Sequence, residues 1–525
     1  MLPKIININF LIPLVLTIYS FLINWFSGNI GVLPIDTFGF FDTGYSILKN
    51  KLPIRDFWIF TGLTVDYLQA LFFFVFGASW KSYVFHASTI NVLGTLSFYY
   101  FLKNLNLNSF AATIYCLSFA TLCYPVIGTP FAYLHSYVFS LVAIFLFINA
   151  FLYEKNLSWF ALPFVFFISF FSMQAPSVYI ILLLLFFSFF YFLKKNRTKN
   201  FKYFLLGCLI SFLLFIFFLL LTKTPFKNVI YQYFLFPLTI GEGRILGNTE
   251  AYLKLSEQLN FKRFFGDFKF IHVFYFPLIL FTINFFLKKN YKFFFLNIII
   301  LLSCFFFIGN QLTNANQIYI FSLIPILASI LHINLKELKQ NKKFLIVIFI
   351  ILAFSTVKYH LRFNVDRKFI DIEKIDKKIA VDAADIDIKL KPLKWLSILY
   401  KNPAQEINII KKALILIKAD KRKKIIITHY QFFSMLLDED LNILNRWYLW
   451  NNNTHPTESH KYFEIYKQMV NKNLEKNEIK VIYLLGPDKK ILFSNIENYF
   501  DNLCFENNFI IKDKFSYHEI KDCKN

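Results

Sequence analysis

Charge is scarce in this chain and so is glycine: 17% of its 525 residues are charged and 15 are glycine, against 57% hydrophobic. That balance excludes an ordinary soluble enzyme, in which about 25% of residues are charged. Cysteine supplies no metal framework. There are 6, none in a CxxC and none in a Cys/His cluster with ligand spacing, so no structural zinc is expected. Cys116, Cys123, Cys208 and Cys304 lie in apolar runs, where a thiol is a small hydrophobe, leaving Cys504 and Cys523 to pair outside the cytoplasm. The N-terminal run MLPKIININFLIPLVLTIYSFLINWF lacks a small-residue cleavage site and reads as a retained first helix. A net charge of +23 would suggest nucleic acid in a soluble protein. Here many Lys and Arg residues stand in short loops between apolar segments, as topology signals and contacts to anionic lipid, and no nucleic-acid partner is expected.

What the chain has in abundance is apolar length. Runs near 6–26, 82–102, 108–124, 132–153, 158–173, 176–193, 203–222, 268–287, 293–308, 317–334 and 344–358 each approach the roughly 20 residues that span a bilayer. The expected fold is therefore a mainly α-helical polytopic membrane protein with about eleven transmembrane helices. Every second connection is basic: Lys103; Lys155; Lys194 to Lys202; Lys288 to Lys292; Lys336 to Lys343. The loops at Pro125 to Pro130, Gln174 to Pro176 and Gly309 to Asn316 carry no Lys or Arg. Because Lys and Arg stay on the cytoplasmic side, the alternation predicts an N-terminus inside and a C-terminus outside a bacterial inner membrane. It also places two long loops, 27–81 and 223–267, on the outer face.

The domain boundary is expected at 358/359, with a transmembrane domain over 1–358 and a soluble extracytoplasmic domain over 359–525. The tail is charged and broken by turns. Asn402-Pro403 opens a helix as a cap followed by a first-turn proline does. KKIIITHY and EIKVIYLLG read as buried strands, which makes the tail a small α/β domain. It has no GxGxxG and no glycine-rich phosphate loop, so it is not visibly a nucleotide-binding domain.

The first outer loop is too long for a simple connector. Residues 37–49 and 64–76 have the spacing of surface helices, the second ended by Gly77. Asp36 follows the first spanning helix closely enough to sit near headgroup depth, where a lipid phosphate presents its cargo. With Asp36, then YSILKNKLPIRDFW, then VDYLQALFFFVFG, the loop resembles the first outer loop of GT-C type integral-membrane glycosyltransferases, the group of protein O-mannosyltransferases and aminoarabinose transferases. Two departures stand out: Thr37 where the family often has a second acid, and Thr61-Gly62-Leu63 where it often has a proline turn.

The resemblance implies transfer of a sugar from a polyprenyl-phosphate donor to a glycan, lipid or protein acceptor on the outer face. Chemistry leads the same way. A sugar C1 bound to phosphate already has a leaving group, so one carboxylate to take the acceptor's proton and cations to neutralise phosphate suffice. Asp36 is the expected general base of an inverting transfer, with a helix cap as its competing role. Asp42 is the second catalytic candidate, against a solvated surface face. Arg244, in the turn-like PLTIGEGRILGN, Arg55 and His86 are candidates for binding donor phosphate. Arg55 is better explained as an ion pair with Asp56, and Asp66 as an acid stabilising a helix start. Asn310, Gln311 and Gln317 are expected on the rim of a polar chamber, although singly such residues more often bond helix to helix. No cofactor and no metal ligand set is expected; the residues leave dependence on a divalent ion open. A flippase, transporter or polymerase of lipid-linked saccharides is the rival reading. A flippase or transporter would need neither the structured first loop nor the outer tail. A polymerase is the closer rival, but such enzymes usually place their long loop late in the membrane region, whereas this chain places an acidic one directly after the first helix.

Overall fold

A computed structural model describes residues 8–194, 196–246, 254–314, 320–341, 343–486, 493–500 and 503–521. The chain opens with α1 (Ile8–Gly28), and the first loop folds into α2 (Pro34–Thr37), α3 (Phe41–Leu48) and α4 (Leu63–Phe76). The bundle continues with α5 (Trp80–Asn104), α6 (Ser109–Leu122), α7 (Ala132–Tyr153), α8 (Asn156–Ser172), α9 (Gln174–Phe192) and α10 (Thr198–Thr222). The second long loop holds α11 (Phe226–Val229), α12 (Phe236–Leu246), α13 (Leu255–Gln258) and α14 (Phe261–Asp267). The last bundle helices are α15 (Lys269–Leu287), α16 (Tyr291–Thr313), α17 (Leu323–Glu337) and α18 (Lys343–Tyr359).

Each of the eleven apolar runs contains a helix, but among the described residues 8 helices are long and apolar enough to cross a membrane on their own. The other three explain the difference. α5 is 25 residues long but carries buried His86 and Asn91, which lower its hydropathy; α8 stops at 17 residues and α17 at 15, whereas α6 and α18 continue as helix to Val126 and Val365 and so reach 18 and 23. α17 is buried from Leu323 to Leu335, so its neighbours and not lipid surround it.

The basic connections meet at one end of the bundle. There Arg197 pairs with Glu154, Lys336 reaches the Asn106 carbonyl at 3.1 Å, and Asn290 reaches Glu337 at 3.3 Å. At the opposite end the uncharged connections join the long loops: Gln174 donates to the carbonyls of Phe60 and Tyr233 at 2.8 and 2.9 Å. Arg367 is buried there, with its guanidinium on the carbonyls of Ile30, Pro125 and Ile127.

The tail contributes a short antiparallel pair, β1 (Val381–Asp382) and β2 (Lys394–Trp395), then α19 (Pro403–Ala419), β3 (Lys424–Thr428), α20 (Phe433–Leu437), α21 (Phe463–Lys476), β4 (Val481–Leu485), β5 (Cys504–Ile511) and β6 (Phe515–Lys521). Asn402 caps α19 through its side chain, with Pro403 in the first turn. β3 and β4 pair in parallel, Lys424 opposite Val481, and the sheet order is β3-β4-β6-β5. Both parallel strands are wholly buried, as a sheet covered on two faces requires.

The composition changes near His360, yet the tail does not stand apart. One hydrophobic core joins Val32, Phe38, Phe41, Trp80 and Tyr83 to Trp395, Phe432, Met435 and Leu485. The N–H groups of Gly31 and Val32 donate to the carbonyls of Lys394 and Leu396, at 2.9 and 2.8 Å. Each large side chain so buried contributes roughly 1.5–3 kcal/mol, enough to fix the first loop against the tail. Among the described cysteines Cys504 is disulfide-bonded and Cys116, Cys123, Cys208 and Cys304 are free; Cys523 lies outside the described residues.

Candidate functional site

Asp36 rides on the four-residue α2, a turn held from three sides. Trp447 of the tail donates its indole N–H to the Ile35 carbonyl at 2.7 Å, and Tyr83 of α5 donates to the Thr37 carbonyl at 2.9 Å. The Thr37 hydroxyl accepts from the Leu33 N–H at 2.9 Å, which fills the capping role that Asp36 would otherwise take. Phe38 then inserts among Trp80, Trp395 and Phe432, with ring centroids 4.8 to 5.7 Å away. The backbone beneath Asp36 is thus fixed while its half-buried carboxylate has no hydrogen bond or ion pair among the described residues. Burial pushes that carboxyl up from 3.8 to about 6. A carboxylate left unpaired on a rigid turn can accept a proton without first breaking another bond.

Asp42 lies fully inside. Its two oxygens accept the N–H groups of Ser434 and Met435 at 3.1 and 3.2 Å, so it caps α20 of the tail from the first loop. Burial pushes its carboxyl up to about 7, opposed by those same N–H groups. Asp42→Ala leaves two buried donors without an acceptor, so we expect a loss of about 1–3 kcal/mol, read as a lowered melting temperature. Cleavage by protease near Met435 should accelerate in step. An unchanged melting temperature would show that α20 does not depend on this carboxylate.

Asp66, at the start of α4, pairs with Arg446 of the tail; both are buried. Thr43 donates to its other oxygen at 2.6 Å. Burial raises the Asp66 carboxyl, and the Arg446 charge and the Thr43 hydroxyl oppose that rise. The Arg446 guanidinium carbon also stands 4.1 Å from the Phe40 ring centroid and 5.0 Å from that of Trp447. Gly62 closes the turn above it at φ +79, where a Cβ would fall 2.5 Å from the Phe40 ring. Arg446 and Trp447 are the residues that sequence reasoning missed. Their one signal is a lone Arg flanked by aromatics in NRWYLWNNN.

The cations proposed for phosphate are engaged within the protein. Arg55 donates to Asp56, to the Thr222 carbonyl at 2.9 Å and to the Asn50 carbonyl at 2.7 Å, so it builds the turn. Arg244 stands on α12 and not in the turn its glycines suggested; its guanidinium donates to Asn314. Phe236 and Ile240 of that helix are buried, with Phe236 5.4 Å from Trp58 and 5.2 Å from His460, and this packing outweighs about 1 kcal/mol per internal glycine. His86 is buried with both ring nitrogens taken: Nδ1 meets Gln69 and Nε2 meets His135, each at 2.9 Å. Tyr124 continues this row at 2.7 Å from His135 Nδ1. Asn310 and Gln311 are buried in α16 and do not line an open rim. Gln317 lies outside the described residues. Among the described residues no three His, Cys, Asp or Glu side chains gather as a metal set. A cavity of about 380 Å³ beside Lys51, Lys424, Glu439 and Asp440 is lined by charges that pair with one another, Lys424 with Glu439 at 2.7 Å and Lys51 with Asp440 at 3.4 Å.

The fold defines a polytopic, mainly helical membrane protein whose strand-containing tail is docked on its first extramembrane loop. No family model matches the chain, and no curated protein matches it. Among solved structures it is similar to the crystal structure of the Archaeoglobus fulgidus oligosaccharyltransferase in complex with zinc and sulfate. The two share 12% identity with a TM-score of 0.46, over 96% of this chain and 72% of that one.

Proposed function

We propose that this protein is a glycosyltransferase of the GT-C type, moving a sugar from a polyprenyl-phosphate donor to a glycan, lipid or protein acceptor. The reaction takes place on the non-cytoplasmic face of a bacterial inner membrane. Asp36 takes the proton of the acceptor hydroxyl; the freed oxygen bonds to C1 from the face opposite the phosphate; the C1–O bond to phosphate breaks, and the anomeric centre inverts. The observation that carries this reading is the Asp36 carboxylate itself, unpaired among the described residues, on a turn braced by Trp447, Thr37 and Tyr83. The resemblance of the first loop to that of GT-C transferases supports it, and the Cys504 disulfide suits an oxidising compartment for the tail. Asp42 and the Asp66–Arg446 pair act as positioning groups: they hold the loop and tail together beneath α2 and touch no substrate.

The pH dependence follows from the base. Asp36 works only when ionised, and burial raises its carboxyl to about 6. The rate of transfer should therefore rise about tenfold per pH unit below that value and level off above it. The test is initial rates of sugar transfer from a labelled polyprenyl-phosphate donor across pH 5 to 8. A flat profile would remove Asp36 from the proton transfer.

A further inference from the structure

The outer ends of α15 and α18 carry a charge cluster that the transfer chemistry does not use. Lys269, Lys358, Arg362 and Lys368 line a cavity of about 130 Å³, and the carboxylate of Asp267 is there to answer them. That carboxylate already faces Arg263 at 3.9 Å, and Lys368 is paired with Glu373 at 3.0 Å. Lys269, Lys358 and Arg362 are left with no ion-pair partner among the described residues.

Their placement concentrates the charge. The Lys269 and Lys358 ammonium groups stand over the same Phe270 ring, 5.6 and 5.1 Å from its centroid, and Arg362 lies 5.4 Å from that of Phe363. Lys269 is the first residue of α15, where the unpaired N–H groups of a 19-residue helix already present positive charge. A cation there is disfavoured unless an anion joins it. The wall is apolar and rigid: Phe321 and Tyr359 stack at 3.9 Å. α15 and α18 are both among the helices long and apolar enough to cross a membrane, so the cluster sits where those helices leave it, at the level of lipid headgroups.

We infer that Lys269, Lys358 and Arg362 form a binding site for the phosphate of a membrane lipid in the leaflet on the tail's side. The planar guanidinium of exposed Arg362 can fork onto two phosphate oxygens, while the two ammonium groups act as point charges beside them. The inference is independent of Asp36 and of the reaction, since it asks for a bound lipid and no turnover.

The test is native mass spectrometry of the purified full-length protein, titrated separately with phosphatidylglycerol, with a polyprenyl monophosphate and with inorganic phosphate. Wild type should hold one phosphate-bearing lipid, and the Lys269→Gln/Lys358→Gln/Arg362→Gln variant should bind it on the order of 100-fold more weakly, at about 1 kcal/mol per basic residue. Whichever lipid binds tighter is the source of the phosphate. Inorganic phosphate in excess should not displace it. A variant that keeps the charges, Lys269→Arg/Lys358→Arg/Arg362→Lys, should retain the lipid and serves as the test if the glutamine variant does not fold. Equal binding by the glutamine variant, displacement by inorganic phosphate, or loss of lipid from the folded charge-retaining variant would each overturn the site.

Discussion

Asp36→Asn is expected to lower sugar transfer by a factor of roughly 10²–10⁴, the range a positioned general base contributes, while leaving the protein folded. The asparagine has the same shape and, among the described residues, no side-chain partner to lose, because the turn is capped by Thr37 and braced through backbone carbonyls. Stability should move the other way from activity. The Asp36 carboxyl is raised from 3.8 to about 6 in the folded protein, so the folded state binds the proton more tightly than the unfolded chain. The sign follows from linkage: this group's contribution is most favourable below 3.8 and declines as pH rises through about 6. At neutral pH the ionised Asp36 opposes folding, and the neutral amide removes that opposition. Thermal unfolding of the two proteins at pH 7 should give Asp36→Asn an equal or higher melting temperature, as expected where a site residue is kept for chemistry. A large drop would mean that the residue braces the turn.

Arg446→Met is expected to be the most destabilising single change in the loop–tail contact, at about 3–5 kcal/mol. It removes one half of a buried pair and strands the Asp66 carboxylate, with only Thr43 left to answer it. It also frees the Thr61 carbonyl, to which the guanidinium donates, and empties the space beneath Gly62. Removing the charge on both sides, Asp66→Asn with Arg446→Met, should recover much of the loss, because a buried pair costs more to break than to replace. Thermal unfolding and limited proteolysis of the singles and the double measure this as a cycle. If the double mutant is as unstable as the sum of its singles, the pair does not couple the loop to the tail. Transfer should fall in the single mutant through displacement of α2, since Trp447 beside Arg446 holds the Ile35 carbonyl.

The parts that were legible in the sequence are those set by local pattern. Apolar length located every bundle helix, Asn402-Pro403 marked the start of α19, and the β-branched runs marked β3 and β4. The uniform alternation of basic loops corresponds to the clustering of Lys336, Arg197 and Asn290 at one end of the bundle. The parts that were not legible depend on partners far away in the chain. Asp42 meets Ser434 across 392 residues and Asp66 meets Arg446 across 380, so no spacing rule could tell a capping or pairing acid from a catalytic one. α12 was hidden by Gly241 and Gly243, whose cost is met only once Phe236 reaches Trp58 and His460. The β5–β6 hairpin was hidden by polar edge residues, Glu506, Asn507 and Asn508, in a strand with one exposed face. Asp36 was a candidate on position alone, an acid just beyond the first span, and local sequence could not choose between base and cap; the Leu33 N–H is taken by Thr37.

The measurement that tests the account most directly is transfer of label from a radiolabelled polyprenyl-phosphate sugar mixture in membranes holding either wild type or Asp36→Asn at matched protein level. The account predicts label in an acceptor with wild type and background with Asp36→Asn. Retained transfer by Asp36→Asn would contradict the role of the base. No donor consumption by wild type, with lipid-linked saccharide appearing instead on the outer leaflet, would contradict the transferase itself and point to a flippase.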